Sequence, residues 1–574
     1  MSTDTSAPKL SPVEGIKEES NFLHGTIGQE LQDPVDHFNK DSIQLLKFHG
    51  TYQQDDRDKR LELKKSGGGK AYSMMLRCRI PGGRMTADQF VAHLDLCDEL
   101  GNATLKITTR QTLQLHGIVK ENLKAVIARI NEVGLSTLAA CGDVNRNIMC
   151  CPAKRVGGVH QQLQAMTDEL TTALAPQTPA YHELWLTDPE TGEKELVGGG
   201  ETTVVEPLYG PRYLPRKFKV GICLPEDNCV DLYTQDLGFL AVVRDGEIIG
   251  YNVTVGGGMG TTPSAKKTFP ALAQRMAFVT PDQIIEVAKA VIKVQRDYGN
   301  REDRKVARMK YLIANWGIAK FRRAVEEYFG SPLQDCTDDD VTGFDDHMGW
   351  QEQGDGKWSY GLNIENGRLY DNDQRQIKAG LRAVCNEFGG EIRLTGHQSI
   401  IFCDIDESQK DRLRQIIADH NIRTTEDTST VRRWSIACVA LPTCGLAITE
   451  SERRLPGIID ELEQPLAKLG LDKERFTLRM TGCPNGCARP YNADLALVGK
   501  AKDKYTLFAG GGWLGNRLAY VYKDLVADKD VNRELVGIFS AYKANRTDGE
   551  SLGDFCARVG AEDLAVMADA APKP

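Results

Sequence analysis

LNIENGRLYDNDQRQIKAGLRAVCNEFGGEIRLTGHQSIIFCDIDESQKDRLRQIIADHNI, residues 362–422, follows the order of RCRIPGGRMTADQFVAHLDLCDELGNATLKITTRQTLQLHGIVKENLKAVIARINEVGL, residues 77–135. Each stretch reads strand, helix, strand, helix. In the earlier one, Leu76, Cys78 and Ile80 alternate with Arg77 and Arg79 until Pro81 and Gly82 end the strand, and Leu123, Val126, Ile127, Ile130 and Val133 make a helical stripe. Arg393 to Ile422 and Lys106 to Leu135 have equal lengths, which sets Arg393, Thr395 and His397 opposite Lys106, Thr108 and Arg110. The spacing predicts an α+β core built by duplication about a pseudo-two-fold. Ile401 and Cys403 stand where the first copy has Gln114 and His116, so the first copy is expected to hold the ligand contacts and the second to be structural.

The stretch LKITTRQTLQLHG is read as one extended strand. That places Lys106, Thr108, Arg110, Gln114 and His116 on one face and Ile107, Leu113 and Leu115 on the other. A face so rich in donors suits an anionic ligand, although a solvated sheet face reads the same way. Further along, PRKFKV puts Lys217 and Lys219 on one side of a strand and Phe218 and Val220 on the other. Two adjacent ammonium groups repel, so such a site favours a bound anion. Gly256, Gly257 and Gly258 are expected to let backbone approach a flat ligand. NREDRKVARMKYLI, residues 300–313, reads as a basic helix, and HGTYQQDDRD, residues 49–58, lies in an N-terminal extension read as a solvated arm.

Four cysteines fall into two groups near the C-terminus: Cys438 and Cys444 in SIACVALPTC, and Cys483 and Cys487 in TGCPNGC. Thiolates suit zinc and iron–sulfur clusters alike. Zinc ribbons favour a two-residue gap within each pair, and here the gaps are five and three residues, which favours a cluster. The doublet Cys150 and Cys151 is read as structural, because neighbouring side chains of an extended segment point apart.

The chain has 574 residues, fifteen scattered cysteines and a formal net charge of −9. Its length implies several lobes. The charge argues against nucleic acid, and no apolar run suits a signal peptide or a bilayer span, which points to the cytoplasm, reduced thiols and no membrane partner. No dinucleotide or flavin fingerprint is present, so a separate redox partner is expected.

The two cysteine motifs, the wording CPNGC and the stretch HGTYQQDDRD resemble the sulfite and nitrite reductase family, and the last of these resembles its NADPH-linked branch. The resemblance implies three lobes around sirohaem and a [4Fe-4S] cluster, with Cys438, Cys444, Cys483 and Cys487 as cluster ligands and Cys487 bridging to the haem iron. It implies that Arg77, Arg146, Lys217 and Lys219 hold the substrate oxyanion. Lys106, Thr108, Arg110, Gln114, His116, Gly256, Gly257, Gly258, Asn485 and Arg489 are expected to contact the cofactors. The implied activity is assimilatory six-electron reduction of sulfite to sulfide, with electrons from an NADPH-oxidising flavoprotein (alpha) subunit. The alternatives are a ferredoxin-linked sulfite or nitrite reductase and, from another class, a non-catalytic iron–sulfur or zinc sensor. The expected divisions are 1–70 (an extension, a candidate for partner docking), 71–138 and 350–424 (ferredoxin-like half repeats), 139–349 (sirohaem and substrate) and 425–574 (cluster and sirohaem).

Overall fold

The computed structural model describes residues 9–178, 184–188, 191–198 and 205–572. The repeat is realised as two five-stranded sheets of matching order. One runs Thr51–Asp55, Tyr72–Arg77, Leu113–Ile118, Leu105–Ile107, Arg368–Leu369; the other runs Gly349–Glu352, Lys357–Leu362, Ile400–Asp406, Glu391–Leu394, Arg84–Thr86. The fifth strand of each sheet comes from the other copy. This exchange explains why the two copies share one apolar core, from Phe90 and Leu94 in the first to Leu381 and Val384 in the second. The helices Ala87–Glu99 and Ile377–Phe388 lie over the sheets at corresponding places. Among the described residues, no helix is long and apolar enough to cross a membrane.

Each copy is followed by a second unit, and these units also match. Strands Met149–Cys150, Val220–Cys223 and Leu237–Arg244 are parallel neighbours, continued antiparallel by Glu247–Val255 and Gln274–Val279. Strands Ser435–Ala437, Leu478–Thr481 and Leu495–Ala501 are likewise parallel, continued antiparallel by Lys504–Ala509 and Tyr520–Ala527. Each unit has a large apolar core of its own. The chain is thus duplicated over most of its length, a symmetry that periodicity disclosed only for the half repeats.

Three expectations are corrected here. The stretch 105–117 is a hairpin and not one strand: Leu105–Ile107 turns at 108–112 into Leu113–Ile118, with Lys106 paired across to Gln114. The Thr108 hydroxyl accepts from the backbone N–H of Arg110 and Thr112, both at 3.2 Å, and Gln111 takes a left-handed φ of 55°. The basic stretch 300–313 is no single helix: it is a loop with one 3-10 turn, Arg304–Val306, and the α-helix begins only at Met309. The N-terminal extension is no free arm. Thr51–Asp55 is the edge strand of the first sheet, Leu23, Leu45 and Phe48 enter the core, and the buried Lys17 ammonium bonds Glu14 at 2.7 Å.

Candidate functional site

Cys438 and Cys483 follow two adjacent parallel strands, Ser435–Ala437 and Leu478–Thr481, at their carboxyl ends. That edge is where open parallel sheets place ligands. The two loops close on each other tightly: a Cβ on Gly482 would stand only 2.5 Å from Ala440 Cβ, and the Gly482 N–H donates to Cys438 Sγ at 3.3 Å. Asn485 Nδ2 donates to Cys483 Sγ at 3.5 Å, and Gly486 turns with φ 63° so that Cys487 emerges at the surface of the loop. Burial raises the Cys438 and Cys444 thiols, and the Cys483 thiol to about 11; the next cause for each is repulsion from Cys487. Three thiols whose ionisation is opposed by burial and by a neighbouring fourth sulfur call for a cationic centre among them.

The first half repeat braces this loop from the other side. Thr109 Oγ1, in the hairpin turn, donates to the Cys487 carbonyl at 3.0 Å. Arg57, from HGTYQQDDRD, donates to the carbonyls of Cys444 at 3.3 Å and Ala447 at 2.6 Å. Periodicity could not single out either residue, because Thr109 lies off the polar face and Arg57 sits in a run that reads as solvated. Arg489 is buried and fully engaged: Nε on Asp231, Nη1 on the Thr109 carbonyl at 2.8 Å and Nη2 on the Gly396 carbonyl at 3.0 Å. It fastens the cysteine loop to both half repeats.

Asp231 also takes Arg479 at 2.9 Å and the Asn492 amide at 3.0 Å. Removing it strands two buried guanidinium groups. Asp231→Ala is therefore expected to cost about 3–5 kcal/mol in a denaturant titration, whereas a substitution at exposed Asp569 is expected to cost under about 0.5 kcal/mol.

Of the four residues expected to hold an oxyanion, Lys217 feels the charges of Cys487 and Arg146, Lys219 feels Lys217, and Arg77 acts on Cys444. Backbone pairing of Asn145 with Phe218 buries the Phe218 ring and leaves Lys217 and Lys219 on the opposite side. Among the described residues, neither ammonium has a hydrogen bond or ion pair. Burial lowers Lys217 to about 7, helped by Arg216, Arg146 and Arg308 and opposed by Cys487; burial and then Lys217 push Lys219 well down. Arg146 Nη2 reaches Tyr52 Oη at 3.5 Å, and the Arg77 guanidinium lies 6.0 Å from the same ring. Beside Lys217 opens a pocket of about 140 Å³ lined by Arg216, Arg304, Lys305, Arg308, Tyr311 and Asn485. Arg304 is matched by Asp143 at 2.7 Å and Arg308 by Asp236 at 2.6 Å, which leaves Arg216, Lys217 and Lys219, among the described residues, as an excess of basic groups outside any ion pair, with Asp143 and Asp236 felt by Arg216 and Lys219 only from farther off. That excess fits a ligand carrying several carboxylates.

The remaining candidates divide. Arg110 reaches Gln235 at 2.8 Å and the Asn147 carbonyl at 2.5 Å, and burial followed by Arg146 lowers it to about 9, so it borders the cationic group. Gln114 faces Arg77, and His116, beside Gln114 at 3.3 Å, is kept neutral by burial and by Arg368. Lys106 is spent on Glu452 and the Asn366 carbonyl, and Thr108 on its own turn. The space beside the glycine triplet is filled by protein: Ile313 at Gly256, the Tyr233 and Gln235 carbonyls at Gly257, and the Arg308 guanidinium at Gly258. Close approach is real there, but the flat group beside Gly258 is an arginine.

Residues 67–133 and 351–420 match the family model described as the nitrite/sulfite reductase ferredoxin-like half domain, and residues 165–333 match the nitrite and sulphite reductase 4Fe-4S domain. The sulfite reductase [NADPH] hemoprotein beta-component of Staphylococcus haemolyticus is 43% identical over 96% of this chain and 95% of its own. The chain belongs to the nitrite and sulfite reductase family. The sulfite reductase [ferredoxin] of Synechococcus elongatus is 44% identical over 98% of this chain and 92% of its own. The structure of Mycobacterium tuberculosis NirA superposes with a TM-score of 0.79 at 26% identity, covering 97% of this chain and 98% of that one. In this member of the nitrite and sulfite reductase family, the four cysteines lie outside 165–333, in the second of the two duplicated units.

Proposed function

We propose that the chain is the haemoprotein (beta) component of an assimilatory, NADPH-linked sulfite reductase, reducing sulfite by six electrons to sulfide. The observation that carries this reading is the group of basic side chains outside any ion pair among the described residues, Arg216, Lys217 and Lys219, beside the Cys487 loop. Cys438, Cys444, Cys483 and Cys487 would hold a [4Fe-4S] cluster, and the cationic pocket would hold the carboxylates of sirohaem. When bound, these groups supply the electrons and the iron at which sulfur is reduced. The chain's own part is to hold the oxyanion on Arg77, Arg146, Lys217 and Lys219 and to deliver protons so that each oxygen departs as water.

A separate flavoprotein would oxidise NADPH, in the cytoplasm, because this sequence holds no nucleotide fingerprint of its own. The ferredoxin-linked Synechococcus relative supports a second reading, with reduced ferredoxin as donor. The purified chain is expected to show sirohaem absorption and sulfite-dependent oxidation of a reduced dye. A colourless chain, or one that oxidises the dye no faster with sulfite, overturns the proposal. Turnover with ferredoxin and none with NADPH plus flavoprotein would select the second reading.

A further inference from the structure

The internal two-fold gives the cysteine loops a counterpart in the first unit. Gln398 Oε1 accepts the Ala437 N–H at 3.1 Å, and Gln111 Oε1 accepts the Cys150 N–H at 3.0 Å, so Cys151 stands where Cys438 does. Asp231, with φ 50°, opens the turn Leu232–Thr234 as Arg489, with φ 51°, opens Pro490–Asn492. Two residues before each lie Cys229 and Cys487. Two of the four thiolates therefore have a symmetry mate, whereas the places of Cys444 and Cys483 are taken by Gly157 and Pro225. Two other donors occupy that space instead, Asp227 and His347.

We propose that Cys151, Asp227, Cys229 and His347 bind one zinc ion, as a structural centre separate from the redox site. The four donor atoms all lie within 4.8 Å of one another, and all four residues are buried. Cys151 Sγ is 2.7 Å from Asp227 Oδ2 and 3.9 Å from His347 Nε2, and His347 Nε2 is 3.0 Å from Asp227 Oδ2. A tetrahedral zinc site with sulfur at about 2.3 Å and nitrogen or oxygen at about 2.0 Å separates its donors by roughly 3.2–3.8 Å, so small movements suffice. Asp227 is already oriented. Its Oδ1 accepts the N–H of Cys229 at 3.1 Å and of Asp345 at 3.2 Å, which leaves Oδ2 as the free donor. His347 is delivered by a left-handed backbone, φ 61°, in the segment that leads to the second half repeat. Borderline-soft zinc suits two thiolates, an imidazole and a carboxylate, and donors this close leave no room for a cuboidal cluster. The ion would pin the end of the Met149–Cys150 strand, the loop after Val220–Cys223 and the entry to Gly349–Glu352.

Metal analysis of the cofactor-loaded chain after dialysis against EDTA tests this. About one zinc per chain is expected, with X-ray absorption reporting two sulfur and two nitrogen or oxygen neighbours. In His347→Ala and Cys229→Ser, zinc is expected to fall about tenfold or more while iron and haem absorption stay. A wild-type chain without zinc, zinc with four sulfur neighbours, or variants that keep their zinc overturn the proposal. Should both variants fail to fold, the wild-type zinc count and its ligand set decide alone.

Discussion

Cys487→Ser is expected to reduce sulfite-dependent turnover to below about one part in a thousand, more than the ten- to hundredfold that loss of a supporting residue costs. The other three cysteines are partly or wholly enclosed, and Cys487 alone is exposed at the loop's surface. Its carbonyl is tied to Thr109, and its charge is felt by Lys217 across the cationic pocket. It therefore sits between the place for a cluster and the place for an anionic haem. A serine hydroxyl keeps the shape but is a hard, weakly ionised donor that iron in a sulfur-rich site does not prefer. The loop itself should persist, since Gly486 carries the left-handed turn and Arg489 the fastening. Iron content, haem absorption and dye oxidation on the same preparation separate the outcomes. Turnover within tenfold of wild type would remove Cys487 from the electron route.

The half repeats could be read because their apolar periods survive in both copies, as at Val126 and Ile130, which fall opposite Leu413 and Ile417. The 108–112 turn escaped notice because Thr108, Arg110 and Gln111 carry no glycine, proline or asparagine, and the turn is made by a threonine hydroxyl. Alternation still found Lys217 and Lys219, since the backbone there is extended. Arg304 and Arg308 were harder: their positions depend on a loop whose ion pairs with Asp143 and Asp236 are long-range. The duplication of the cysteine-bearing unit was hidden for a related reason. What the two units share is strand order and the left-handed residue opening a turn, Asp231 or Arg489, and side-chain identity at those places differs. For the same reason Lys106 and Arg489 looked free in sequence although distant carboxylates, Glu452 and Asp231, occupy them.

Lys217→Ala and Lys219→Ala are each expected to lower kcat by about 10²–10⁴-fold with haem absorption retained, the range that a positioned proton donor supplies. Both ammonium groups lack partners, and burial together with the neighbouring arginines draws Lys217 down to about 7. A group so placed gives up its proton readily, and an arriving oxyanion restores its preference for the charged form. The sign follows: the competent form is protonated, so kcat/KM should fall as pH rises. The inflection should lie above about 7, because the carboxylates of a cofactor held as proposed by Arg216 and its neighbours would favour the ammonium. Lys217→Ala should remove that inflection, and Lys217→Arg, which stays charged throughout, should flatten the profile while transferring protons poorly. Loss of haem from either alanine variant would instead assign the lysine to cofactor assembly, and an unaltered profile in Lys217→Ala would move the proton donor to Lys219.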